Sequence, residues 1–236
     1  MYELLESITE SAKKTLQAQQ VNANNLANAS TIGFKAEIAF YMEEEGGLTL
    51  QSMPDLTPGM VQQTGRSLDV SIQGEGWLAI VAQDGTEAYT RRGDLKVDAL
   101  GQLTTGLGNP VVGNNGPIAL PPFSQIEIGA DGTVSIVPVG QQPNTLAVVD
   151  RLKLVTLDTE QLERREDGHL QLPDAEVAPP DAAVRVISGA IEGSNVNVVG
   201  ELVRMIDLAR RFESEIQLMQ DAKENSSALA SVMSLN

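Results

Sequence analysis

Glycine and proline are confined to the middle of this chain. All eleven prolines lie between Pro54 and Pro180, and residues 1–32 and 201–236 contain neither glycine nor proline. Proline removes a backbone donor and clashes with the preceding turn, and glycine loses more conformational freedom than any other residue on entering a helix. A chain punctuated in this way reads as two helix-compatible ends around a broken middle. Fully helical ends would be roughly 48 and 54 Å long, at about 1.5 Å per residue.

Hydrophobic spacing points the same way. Leu5, Ile8, Ala12, Leu16, Ala23 and Leu26 recur mostly at steps of three and four, with polar Gln19 filling the remaining place. Val198, Leu202, Met205, Ala209, Phe212, Ile216 and Met219 alternate steps of four and three. The second stripe then shifts and continues through Ala222, Ser226, Leu229 and Met233, a break that locally changes a supercoil. A single thin stripe buries little, so such a pair is marginal on its own. Two arrangements answer that need: a helical hairpin packed on the central region, or a pair completed by neighbouring subunits.

The middle reads as β. Residues 68–72 alternate, 77–81 form an apolar run, and Asp84-Gly85 is a hairpin turn pair. Residues 89–91 and 95–97 flank Gly93, and 125–128 lead through Asp131-Gly132 into 133–137. Residues 151–157 alternate, Asp167-Gly168 marks a further turn, and 184–187 form a late strand. Many short strands with regular turns indicate an antiparallel all-β domain. The fold class is therefore α+β, with long N- and C-terminal helices forming a coiled-coil-like domain and a central all-β domain between them. The expected division is 1–35 for the N-terminal helix and its Asn-rich junction, which forms an inner domain with 195–236. Residues 36–67 read as an extended linker, 68–192 as the β domain, and 193–236 as the C-terminal junction and helix.

Composition removes most other classes. The chain has no cysteine, so it has no disulfide, thiolate metal site or thiol nucleophile, and its single histidine argues against His-rich metal sites and triads. With 16 basic against 32 acidic residues its net charge is −16, which argues against nucleic acid or anionic lipid as partner. The first six residues carry no basic region followed by an apolar run, so no cleaved secretory signal and no membrane insertion are expected. Residues 74–79 match a dinucleotide-binding glycine pattern, but the run that follows is strand-like, so the glycines are read as a turn or bulge. His169 is read as a solvated turn residue, and the acidic runs Glu43-Glu44-Glu45 and Asp158-Thr159-Glu160 as solvated faces. Asn28-Ala29-Ser30 and Asn225-Ser226-Ser227 fit a glycosylation pattern that has no meaning without export by a secretory signal. No catalytic, cofactor-binding or metal-binding constellation emerges, so neither enzymatic activity nor a cofactor is expected.

The unusual feature lies at the inner ends of the two helical segments. Asn22, Asn24, Asn25 and Asn28 crowd into about two turns before Gly33 and Phe34. Gly33 can take the left-handed conformation that ends a helix, and asparagines cap backbone groups. Four asparagines exceed what a cap needs, and their amides could bond across to other chains. At the opposite junction Ser194, Asn195 or Asn197 could serve as N-cap.

Asn24-Asn25-Leu26-Ala27-Asn28, with Thr31, Gly33, Phe34 and Lys35, resembles the N-terminal signature of bacterial flagellar rod and hook proteins. Residues 192–197 and 198–206 resemble their C-terminal signature, and 68–77, 84–93, 101–103 and 116–118 resemble their central motif. The resemblance spans nearly the whole chain in order. The short stretch 36–60 points to the proximal-rod branch, with the distal-rod branch as the alternative and a free-standing β-domain binding module as a weaker one. Trp77-Leu78, Leu95 and residues 209–212 depart from residues common in the family.

The resemblance implies a structural subunit that polymerises through its terminal helices into a hollow axial shaft, transmitting torque and passing exported subunits. It implies export by the flagellar type III apparatus, a place in the basal body within the periplasm, and other rod subunits as partners. The assembly residues it implies are Asn24, Asn25, Leu26, Asn28, Thr31, Gly33 and Phe34 at the first junction. At the second they are Ser194, Asn195, Val196 and Asn197, followed on the helix by Leu202, Met205, Ile206, Phe212 and Ile216.

Overall fold

A computed structural model of the chain describes residues 2–44, 47–142, 145–158, 162–165 and 167–233. The side chains of Glu43, Glu44, Ser226, Leu229 and Met233 lie outside the described residues, as do Glu45, Thr159 and Glu160. The architecture is α+β. Helix α1 spans Tyr2–Ala27 and helix α2 spans Val198–Met233, with short strands between them. The chain divides into two compact units. Unit one comprises Met1–Ala29, Glu37–Met53 and Val196–Asn236, and unit two Ser30–Ala36 and Pro54–Asn195.

In unit one α1 and α2 pack side by side and antiparallel: Thr9 reaches Met219, Thr15 reaches Glu215 and Asn22 reaches Glu201. The contact face differs from the apolar stripe read in the sequence. On α1 the buried positions are Ala12, Thr15, Asn22 and Asn25, while Leu16 is 45% exposed and Ala23 is exposed. On α2 Glu201, Met205, Leu208, Phe212, Glu215, Met219 and Ala222 are buried or half-buried at steps of four and three, with Ile216 half-buried beside Glu215. The period survives: Leu5, Ile8, Ala12, Gln19 and Leu26 of the first stripe and Met205, Phe212, Ile216, Met219 and Ala222 of the second keep buried or half-buried places, while Thr15, Asn22, Glu201 and Glu215 enter the face beside exposed Leu16, Ala23 and Leu202. The reason is hydrogen bonding. Glu215 accepts from Ser11 Oγ at 2.6 Å and Thr15 Oγ1 at 3.1 Å, and the Asn22 amide donates to the Glu201 carbonyl at 3.0 Å and to its carboxylate. A polar group buried without a partner costs more than a methyl group gains by burial. The face that pairs these donors therefore sets the register, with Asn22 Oδ1 and Glu215 Oε2 left buried without a partner among the described residues.

Within the segment read as a linker, strands β1 (Glu37–Glu44) and β2 (Gly47–Pro54) pair with each other and belong to unit one.

Unit two is built from antiparallel pairs. A five-stranded sheet runs Leu154–Val155, Trp77–Val81, Glu87–Thr90, Leu170–Gln171, Glu163–Arg164 in spatial order. A three-stranded sheet joins Phe123–Ile128, Thr133–Pro138 and Ala147–Arg151. Val70–Gln73 pairs with Arg185–Ser188, and Val61–Gln63 with Ala190–Glu192. The Trp77–Val81 run is continuously apolar because both faces are covered. Leu78 and Ile80 enter one core with Leu95, Val111, Ile136 and Leu152, and Trp77 and Ala79 enter another with Tyr89, Val155 and Leu170.

The alternating run 151–157 is not one strand. The Leu152 amide donates to Gly132 and that of Lys153 to Val112, so the chain changes partners between Ala147–Arg151 and Leu154–Val155. Gly76 has φ 143, a Cβ there would overlap Val184, and the next element is a strand. The 74–79 glycine pattern is therefore a turn and lacks the helix that phosphate binding needs. Among the described residues no helix is long and apolar enough to cross a membrane.

His169 departs from its reading as a solvated turn residue. It is 6% exposed, its amide donates to Asp167 Oδ1, and its Nε2 lies 3.3 Å from Asn109 Oδ1. Burial holds its imidazole below the ordinary value of 6.5. The folded state then resists the proton that the unfolded chain accepts, so its contribution to stability is present above pH 6.5 and falls as pH drops through that value. We expect the stability gap between the wild type and His169→Gln to narrow between pH 7.5 and 5.5, as read from urea midpoints at the two pH values. A gap independent of pH would contradict it.

Candidate assembly site

The residues of the two junctions are divided between the units. Asn24, Asn25, Leu26, Asn28, Val196 and Asn197 belong to unit one, and Thr31, Gly33, Phe34, Ser194 and Asn195 to unit two.

In unit one the asparagines have partners inside the chain. Asn25 is buried and clasps the first residue of β1 twice: its Nδ2 donates to the Glu37 carbonyl at 2.8 Å, and its Oδ1 accepts from the Glu37 amide at 2.7 Å. This repeats, with a side chain, the two-bond pattern of paired strands. Asn24 Nδ2 donates to Glu37 Oε1 at 3.3 Å, and Asn28 Nδ2 donates back to the Asn24 carbonyl at 2.9 Å. The crowding of asparagines therefore reflects one helix end that must hold α2, β1 and its own last carbonyls together. Of the three candidate N-caps, Asn197 is the one used, its Oδ1 accepting from the Gly200 amide at 3.1 Å. Leu26 is half-buried. On α2 Met205, Phe212 and Ile216 are half-buried, whereas Leu202 and Ile206 are 45% and 54% exposed.

In unit two the remaining junction residues meet. The Gly33 amide donates to the Glu192 carbonyl at 2.8 Å, and the Phe34 amide to Thr31 at 3.3 Å. The Phe34 ring lies 4.9 Å from the Arg164 guanidinium, whose Nη2 donates to the Lys35 carbonyl at 2.7 Å. Asn195 Oδ1 accepts from the Ala36 amide at 2.7 Å, and its Nδ2 donates to the carbonyls of Asp55 at 2.9 Å and Thr57 at 3.1 Å. Ser194 is half-buried beside it. Gly33 has φ 68, and a Cβ there would overlap the backbone of Arg91 and Arg92.

Three charged residues outside the candidate list complete this arrangement. Lys35, Arg91 and Glu192 are 3%, 5% and 1% exposed. Glu192 Oε1 accepts from Lys35 Nζ at 2.7 Å and from the Gly59 amide at 2.8 Å, and its Oε2 accepts from Arg91 Nη1 at 3.1 Å. Burial pushes the Lys35 ammonium below its ordinary value, while the Glu192 carboxylate opposes that shift. Nothing in the sequence marks these charges as buried, and their only signal is that all three lie in the segments that resemble family motifs. Among the described residues no cluster of three or more His, Asp or Glu is placed to hold a metal ion.

Comparison with known proteins gives a consistent set of relatives. Residues 71–136 match the family described as flagellar hook protein FlgE/F/G D1 domain, and residues 187–232 the flagellar basal body rod FlgEFG protein C-terminal family. The chain is 42% identical to the flagellar basal-body rod protein FlgF of Salmonella typhimurium, over 95% of this chain and 96% of that one. The Escherichia coli protein of the same name matches with the same identity and coverage. A flagellar basal-body rod protein FlgG of Buchnera aphidicola is 34% identical, over 86% of this chain and 90% of its own length.

The strained backbone and the overlap at residue 33 act together. Gly33→Ala is expected to destabilise unit two by about 2 kcal/mol or more, read as a lower melting temperature with the α-helical signal retained. An unchanged melting temperature would show that the backbone contact at Arg91 relaxes freely.

Proposed function

The chain belongs to the flagellar basal-body rod protein family, and from that membership we propose that it is a structural subunit of the proximal rod. In this reading it polymerises through α1 and α2 into a hollow shaft that transmits torque and passes exported subunits. The observation that carries polymerisation is the apolar surface near the start of α2. Val199, Leu202, Val203 and Ile206 are all exposed, and they lie off the positions that face α1. Their spacing places them along one strip of the helix. Water-exposed aliphatic surface of this kind gains about 25 cal/mol per Å² when covered. A neighbouring copy covering it by a heterologous contact extends the assembly as a helix rather than closing a dimer.

Other rod subunits are the proposed partners, and the flagellar type III export apparatus is the proposed route, without a cleaved signal. The proposed location is the basal body within the periplasm. The charge of −16 suits a subunit that stays dispersed before assembly and engages neither nucleic acid nor the membrane surface. Its role is structural and not catalytic. The 42% identity to the Salmonella typhimurium and Escherichia coli proteins named FlgF, against 34% to the Buchnera aphidicola protein named FlgG, supports the proximal over the distal position.

The test is the double substitution Leu202→Asp with Ile206→Asp. Both side chains are already exposed, so helicity and the melting of unit two should stay at wild-type values. In cells lacking the native chain the variant should be exported but leave basal bodies without a complete rod, and the cells non-motile. Complete rods and normal swimming would refute the proposed surface.

A further inference from the structure

The chain passes between its units at 29/30, 36/37, 53/54 and 195/196. Unit two therefore holds three stretches that lead to unit one: 30–36, the start of 54–195 and its end. One carboxylate binds all three. Glu192 belongs to the last stretch, and its side chain accepts from Lys35 in the first and from the Gly59 amide in the second. Arg91 holds its other oxygen, and Arg91 Nη2 also donates to the Gly74 carbonyl at 2.6 Å. Lys35 Nζ gives a second bond to the Thr57 carbonyl at 2.8 Å.

We propose that Lys35, Arg91 and Glu192 form a charge clamp that positions the chain crossings of unit two, so that the first junction becomes ordered only when the C-terminal one is in place. Hydrophobic burial alone would fold the strands but is non-directional. A buried carboxylate with three converging donors admits one arrangement of the segments that supply them. Without Glu192 two cations remain buried with no counter-charge, and unpaired buried charge is strongly unfavourable. Residues 33–36 and 57–59 should then detach while the strands, whose ladders are backbone hydrogen bonds, stay paired. The significance for assembly rests on the rod reading; the clamp itself does not.

The experiment is amide hydrogen exchange on the full chain, comparing wild type with Glu192→Gln, which keeps the shape and removes the charge. Exchange at Gly33, Ala36, Gly59 and Asn195 should quicken by about 100-fold, with core amides such as Ala79, Val111 and Ile118 unchanged. If Glu192→Gln fails to fold, Lys35→Met, which leaves the Arg91 pair intact, should quicken Ala36 and Gly59 in the same selective way. Unchanged exchange at the junction amides, or an equal rise throughout unit two, overturns the clamp and leaves only a contribution to general stability. Motility in cells carrying the variant forms a separate arm. Local opening with lost swimming supports the positioning role. Local opening with normal swimming overturns that role and leaves the rod reading standing.

Discussion

A chain that crosses repeatedly between two compact units must hold each crossing by directional contacts, because apolar burial inside either unit does not say where the connecting segments run. Here the contacts are buried hydrogen bonds. Asn25 clasps Glu37, Asn195 bridges Ala36 to Asp55 and Thr57, and the Glu192 carboxylate receives Lys35, Arg91 and the Gly59 amide. Each links residues far apart in the chain through two or more bonds. Such contacts cost desolvation and return it only in one geometry, so they contribute more to specificity than to net stability.

The same logic governs the helix pair. Thr15, Asn22 and Asn25 face Glu201, Glu215 and β1 where leucines would pack more strongly. Polar groups on the shared face allow one axial register, because a shift strands each of them without a partner. The larger aliphatic side chains of the start of α2 are displaced outward by this choice. For a rod subunit the division is economical in physical terms. Internal register is held by amides and carboxylates, and Val199, Leu202, Val203 and Ile206 stay exposed.

Much of this arrangement was legible in the residues. The two regions free of glycine and proline became α1 and α2, and the Asp84-Gly85 and Asp131-Gly132 turns joined paired strands; Gly33 took a positive φ, but α1 already ends at Ala27, so Gly33 does not cap it. These are local properties, fixed by a few neighbouring side chains. The pairing of β1 and β2 was less visible, since 37–54 alternates poorly. Periodicity identified the helices and most of the face they bury, but not the polar positions that enter it. Leu16 and Leu202 fit the apolar register as well as Thr15 and Glu201 fit the polar one, and only the opposite helix distinguishes them.

The sequence by itself determined the element types, the α+β class, the absence of thiol chemistry and, through its junction motifs, the family. These follow from torsional preference, residue inventory and pattern, none of which needs a distant partner. The tertiary structure alone decided that His169 is buried, that Asn197 and not Ser194 or Asn195 caps α2, and that Lys35, Arg91 and Glu192 share one dry site. Burial and pairing are relations between residues as much as 210 positions apart, and a charged side chain looks the same in a sequence whether water or another charge surrounds it.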